Sequence, residues 1–254
     1  MGADGGCAAA FFDVDGTLSA TRSISSLVWL RARQFGAWRH RLWLASLCWR
    51  VPLVWGADKI SRALADRLVY AQFAGLVQAR VEADAEVCCR DLLLPFCFAE
   101  ALAEIDCHKA AGRHVVLLTG GVEPVLQPFA RALGADLIAQ RLETAEGRFT
   151  GRYRPYALLD SGAAAGSQGA AKAQAMVRYA EIRGISLDAC FAYGDSRNDI
   201  PMLRTVGHPV AVNPDGALRR VAQRNGWPVR QWRSTTPRER ALDKSSLSGD
   251  AARS

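Results

Sequence analysis

The sequence predicts an α/β protein: a parallel sheet between two helical layers, interrupted near its start by a helical segment. Three observations predict it. Short apolar runs at Ala8–Val14, His114–Leu118 and Cys190–Tyr193 read as buried strands. Helical spacing follows them, as in Val122, Val125, Leu126, Phe129 and Leu133. At the end of each run stand Asp, Thr and Gly, the residue types of a ligand-binding strand end in an open α/β sheet.

The elements follow in order. Ala8–Val14 is the first strand, and Gly16 allows a sharp turn after it. From about residue 20 to 94 the character is helical, with no strand-like alternation, and Leu64, Leu68, Val69, Tyr70 and Ala71 mark an apolar helix. Pro95 restarts a helix that runs to about Ala111 and stops at Gly112. The helix after His114–Leu118 contains Pro128, which removes one backbone donor. Asp136–Ala139 reads as a third strand. Leu142–Thr144 and Arg148–Tyr153 flank Glu146-Gly147 as a hairpin. A Gly/Ala/Ser stretch over 161–171 precedes a helix from about Ala171 to Arg183. Val210–Val212, a helix over Asp215–Asn225 and a short strand near Val229 complete a Rossmann-like, three-layer pattern. After Trp232 the chain is polar, which predicts a disordered tail.

Composition narrows the function class. With 254 residues, 50% hydrophobic and 22% charged, the chain is neither disordered nor fibrous, and it can bury a sizeable core. Its net charge of +7 is confined to one place. Residues 22–62 hold eight basic side chains against Asp58 alone, so the rest of the chain sums to zero. The same segment carries Trp29, Trp38, Trp43, Trp49 and Trp55. Three readings of it are open: tryptophans filling a local core under Arg stems, a patch lying on an anionic membrane, or a nucleic-acid surface. No nucleic-acid-binding motif supports the third. Arg50 and Pro52 divide the longest apolar run, so no stretch reaches the roughly 18 residues of a spanning helix. Seven irregularly spaced cysteines and a short polar N-terminus predict reduced thiols in a cytoplasmic protein, peripheral to a membrane if the basic segment lies on one.

The chemistry is carried by acids. Asp13 and Asp15 stand two residues apart past the first strand, so a strand would place both on one face toward a single ion. Asp195 and Asp199 follow another buried strand. Carboxylates gathered at one sheet edge repel each other unless a hard cation such as Mg²⁺ lies between them. Thr119-Gly120-Gly121 offers a hydroxyl and backbone N–H groups at a helix start, a cradle for phosphoryl oxygens. Lys172 opens a helix and is one of four lysines. Thr119 can equally cap a helix, Asn198 can serve only its loop, and the four histidines show no pairing.

In order along the chain, Asp13-Val-Asp15-Gly-Thr17-Leu18, Leu118-Thr119-Gly120-Gly121, Lys172 and Tyr193-Gly-Asp195-Ser-Arg-Asn198-Asp199 resemble the haloacid dehalogenase-like phosphohydrolases, in the branch of the phosphoserine phosphatases. The hairpin at 146–151 and the helical insertion after the first motif resemble that branch too. The resemblance implies a core over 1–19 and 95–232, an inserted helical cap over 20–94 and a tail over 233–254. It implies a Mg²⁺-dependent phosphomonoesterase acting on a small phosphorylated metabolite or lipid-like phosphate. Asp13 would be the nucleophile that becomes an aspartyl phosphate, and Asp15 the general acid and base. The metal would be held by Asp13, the Asp15 carbonyl and Asp195, with Asp199 ligating or orienting a water. Thr119, Gly120 and Lys172 would bind the phosphoryl oxygens, with Asn198 in support. A phosphotransferase using the same intermediate, and an idle core carrying a lipid-binding cap, are the alternatives. Phosphoserine phosphatases are expected to hold the substrate amine with an acid shortly after the first motif. Here Ser19–Ile24 contains none, and Arg22 suits an anionic or neutral substrate better.

Overall fold

The computed structural model of the chain describes residues 8–21, 23–34, 38, 41–46, 67–154, 156, 158–159 and 168–233. Trp49, Trp55, Arg22, Asp58 and the tail beyond residue 233 lie outside these described residues.

In chain order the main elements are β1 (Ala9–Phe12), α1 (Ser23–Gln34), α2 (Gln78–Cys88), α3 (Ala99–Ala110), β2 (His114–Val122) and α4 (Glu123–Ala132). They continue with β3 (Asp136–Ala145), β4 (Arg148–Arg154), α5 (Gln168–Arg183), β5 (Phe191–Gly194), β6 (His208–Val212), α6 (Gly216–Asn225) and β7 (Val229–Arg230). The seven strands form one sheet in the order β4-β3-β2-β1-β5-β6-β7. All pairs are parallel except β3 with the edge strand β4. Strand β1 is central, and its neighbours β2 and β5 both come much later in the chain. The crevice where ligands of such sheets bind therefore opens at the carboxyl end of β1.

Every residue of β1 is fully buried, because its alternate side chains feed two cores. Ala9 and Phe11 join Val116, Leu118 and Ala192 under Ala175, Met176 and Tyr179 of α5. Ala10 and Phe12 join Val115, Leu117 and Tyr193 under Ile105 of α3 and Phe129 of α4. Full burial of each of these phenylalanines is worth about 1.5–3 kcal/mol. A third cluster ties Leu27 and Leu30 of α1 and Val81 of α2 to Val122, Val125 and Phe149 at the β2–β4 side.

Three local expectations change. Strand β1 ends at Phe12 rather than Val14, because Val14–Ser19 closes as a compact loop: Leu18 and Ser19 both donate to the Val14 carbonyl at 3.0 Å. The expected third strand and the first arm of the hairpin are one strand, β3, which pairs with β2 at one end and β4 at the other. The expected helix from Pro95 starts at Ala99, after a π-helical turn over Cys89–Leu93 and a 3₁₀ turn over Leu94–Phe96 with Pro95 in its first turn. The helix with Pro128 continues through it. The predicted turn at Glu146-Gly147 is present, with φ of 50° and 70°, the left-handed pair that matches the twist of a hairpin.

The segment between the first motif and α3 leaves the core at Ser19 and rejoins it at Cys97, and these two residues pair. Trp43 is buried, with the Arg31 guanidinium 4.9 Å from its ring centre, and Arg33 lies 4.9 Å over Trp29. For these two tryptophans the first of the three readings describes what is seen. Trp38, by contrast, is 67% exposed. No described helix is long and apolar enough to cross a membrane. The described cysteines, Cys88, Cys89, Cys97, Cys107 and Cys190, are free thiols. Burial pushes Cys88 and Cys89 up to about 11.

Candidate active site

A cavity of about 690 Å³ opens at the carboxyl end of β1, between the sheet and the segment leaving at Ser19. Asp13, Asp15, Thr119, Gly120, Lys172, Asp195, Asn198 and Asp199 all line it. The sheet thus brings together every residue singled out from the sequence.

Asp13 follows β1 directly and is 6% exposed, its backbone N–H bonded to the Tyr193 carbonyl at 3.0 Å. Asp15 reaches the same cavity by a different route from the one its spacing suggested. Both acids lie past the strand, and the loop, not a shared strand face, places Asp15 at the cavity. That loop depends on Gly16, which has φ of +83° and passes so close to Asp195 that a Cβ would stand 2.3 Å from its Oδ2.

Lys172 lies one turn into α5 and is 4% exposed. Its Nζ donates to Asp13 Oδ1 at 2.5 Å and to Asp199 Oδ1 at 2.6 Å. The second oxygen of Asp199 accepts from the Ser196 hydroxyl at 2.9 Å and the Ser196 N–H at 3.1 Å, with the Asp195 N–H at 3.3 Å. Both Asp199 oxygens are therefore committed to fixing its loop and Lys172. Gly194 accommodates this, because a Cβ there would sit 2.5 Å from the Asp199 Cβ. Asp195 is anchored by its carbonyl, which accepts from the Asp215 N–H at 2.8 Å.

Thr119, Gly120 and Gly121 belong to β2, not to a helix start. Leu118 pairs with Ile138, but Val122 pairs with Gln140, so β2 spends two extra residues between the two pairings. This bulge pushes the three residues out of the ladder and toward the cavity. The Thr119 hydroxyl accepts the Gly121 N–H at 3.0 Å, and the Gly120 carbonyl accepts the Tyr70 hydroxyl from across the cavity. Gln168 and Tyr70 are among the lining residues that escaped the sequence reading. Gln168 packs over Gly120, where a Cβ would stand 2.2 Å from its Nε2, and its position four residues before Lys172 on one helix face is the signal that could have found it. Tyr70 carried no such signal, because only the fold brings it to Gly120.

The electrostatics follow from crowding. Burial drives Asp13 well above the ordinary carboxylate range, opposed by Lys172 and reinforced by Asp199 and Asp195. Burial also pushes Asp195 up to about 7, with Asp199 adding to it. For Lys172 burial works against the charge, but the Asp13 and Asp199 carboxylates outweigh it and hold the amine above its usual value. One oxygen each of Asp13, Asp195 and Asp199 lies within 4.8 Å of the others. Three carboxylates against a single ammonium leave an excess of negative charge, and the donors are all oxygen. Such a set fits a hard divalent cation of the Mg²⁺ kind.

A model of the haloacid dehalogenase-like hydrolases matches residues 10–204, most of the chain and all four motifs. The chain belongs to this family. Among relatives of this haloacid dehalogenase-like hydrolase, a probable phosphatase of Mycobacterium tuberculosis is 35% identical over 222 residues, covering 87% of this chain and 74% of its own. A phosphoserine phosphatase of the same species is 31% identical over 228 residues, covering 89% and 71%. A crystal structure of a Bordetella pertussis protein of unknown function superposes with a TM-score of 0.70 at 27% identity, covering 89% of this chain and 98% of that one.

Proposed function

We propose that this hydrolase is a Mg²⁺-dependent phosphomonoesterase that works through an aspartyl phosphate on Asp13. The observation that carries the reading is the buried Asp13–Lys172–Asp199 arrangement on the cavity floor, with Asp15 and Asp195 beside it. In this reading residues 20–94 act as the cap over the site, and Asp13, Asp195 and the Asp15 carbonyl hold the metal. A bound Mg²⁺ supplies positive charge that lets an anionic carboxylate approach an anionic phosphoryl group.

The residues divide the work. An Asp13 oxygen attacks phosphorus while the bond to the ester oxygen breaks, and Asp15 gives its proton to the departing alcohol. Asp15, now a carboxylate, takes a proton from water as that water attacks the phosphorus. The bond to Asp13 then breaks, and inorganic phosphate leaves with both aspartates restored. Lys172, Thr119 and the Gly120 backbone hold the phosphoryl oxygens. Asp199 keeps Lys172 and the Asp195 loop in register, and Asn198 supports that loop.

Asp13→Asn removes the nucleophile and is expected to lower kcat on an aryl phosphate by at least about 10³-fold, about 4 kcal/mol of barrier. Far-UV circular dichroism should be unchanged. Substantial residual hydrolysis by the Asn variant would overturn the mechanism.

A further inference from the structure

The cavity has two chemically different ends. Its floor is the acidic cluster, but a second wall is mostly hydrocarbon: Ile24 and Leu27 from α1 with the Ser26 hydroxyl between them, Val69 and Phe73 from the stretch before α2, and Val125 and Leu126 from α4. Ile24 is 43% exposed, an uncovered aliphatic side chain at a cavity. Tyr70 lines the cavity too, its hydroxyl already engaged by the Gly120 carbonyl. The two arginines of α1 are engaged elsewhere. Arg31 donates to the Gln72 carbonyl and stacks on Trp43, while Arg33 pairs with Asp84 at 2.9 Å and stacks on Trp29. Among the described residues, no Arg lines the cavity, and Lys172, already paired with two carboxylates, is its one cation. Arg22, on which the sequence reading rested an anionic or neutral substrate, lies outside the described residues.

A leaving group that filled this wall with polar or charged atoms would lose water and find only the Ser26 hydroxyl in return. A hydrocarbon one would gain from the same burial. The cavity volume is in the range that encloses a ligand of drug-like size. We infer that the enzyme selects phosphomonoesters whose alcohol is a hydrocarbon chain, with the phosphate on the acidic floor and the chain against Ile24, Leu27, Val69 and Phe73. This inference rests on the phosphatase reading above.

The test is a homologous series of straight-chain alkyl phosphates from ethyl to octyl, all below their micelle concentrations, with phosphoserine alongside. Hydrolysis is followed in Mg²⁺. The non-hydrolysable alkylphosphonates of the same lengths are titrated calorimetrically. Each added methylene should raise kcat/KM, and tighten phosphonate binding, by about twofold to fourfold, the upper value corresponding to complete burial. Ile24→Gln and Val69→Thr should each cut the octyl-to-ethyl ratio several-fold, and Ile24→Met should keep it. A flat or falling series, or phosphoserine outrunning octyl phosphate, with Asp13-dependent hydrolysis intact, overturns this inference alone. A phosphonate series that tightens with length while no ester is hydrolysed supports the hydrocarbon wall and overturns the phosphatase reading.

Discussion

Two clusters of buried polar groups, one on the α3 face of the sheet and one at its carboxyl edge, solve the same problem in opposite ways. On the α3 side, His108 Nε2 and the Tyr193 hydroxyl are 2.8 Å apart, and that hydroxyl donates to Glu104 at 2.6 Å. Burial holds His108 below its usual value and, with Glu104, lifts Tyr193 above its own, so both sit neutral near pH 7. At that edge, beside α5, Asp13 and Asp199 share the Lys172 ammonium, and Asp195 adds a third carboxylate within 4.8 Å of theirs. The first cluster satisfies itself with shared protons and acts as packing. The second carries more carboxylates than its one ammonium pairs, as sites that bind ions do and merely structural networks do not.

Removing the cation is the harshest way to break that contrast. Lys172→Met strands two buried carboxylates and is expected to cost about 3–5 kcal/mol in urea unfolding without Mg²⁺. Tyr193→Phe on the other face leaves His108 and Glu104 each with one hydrogen bond fewer, a loss of about 1–3 kcal/mol by the same measurement. If the two variants cost the same, the electrostatic distinction between the clusters fails. Mg²⁺ sharpens the comparison from the other direction. At ten times its dissociation constant it should add about 1.4 kcal/mol, or about 3–6 °C in Tm, and Asp195→Asn should abolish that shift. Tyr193→Phe should keep it. The smallest effect belongs to pH. His108 titrates below its unfolded value of 6.5 in the fold, so the unfolded chain binds the proton more readily. Its contribution to stability is full above about 6.5 and is lost as pH falls through its lower folded value. His108→Gln should flatten that part of the stability–pH curve.

Much of the floor of the site was legible in the sequence, because each motif is a short contiguous string at the end of a buried strand. Asp13, Lys172, Asp195 and Asp199 needed only the parallel sheet to bring them to one edge. The geometry between them was not legible. Nothing in Thr119-Gly120-Gly121 announces a two-residue bulge, which exists only as a mismatch between β2 and β3. The loop that carries Asp15 is set by close approach to Asp195, a contact across the whole fold. The hairpin at Glu146-Gly147 was readable because a left-handed two-residue turn is a local property, whereas the length of β3 depends on two partners at once. The hydrocarbon wall was hidden for a related reason. Composition showed where charge is dense, but stacking on Trp29 and Trp43 decides where Arg31 and Arg33 point.

The pairing of Ser19 with Cys97 brings the two ends of the intervening stretch together at one place in the core, while its body packs on Val122, Val125 and Phe149 and reaches Gly120 through Tyr70. Because its two ends are already neighbours, lengthening it away from those contacts costs only the entropy of a larger closed loop, about 0.6 kcal/mol per doubling. The acids stay where β1 and β5 put them. A graft from a relative, joined at Ser19 and Cys97 and keeping the residues that pack on Val122, Val125 and Phe149, would test whether the stretch sets specificity.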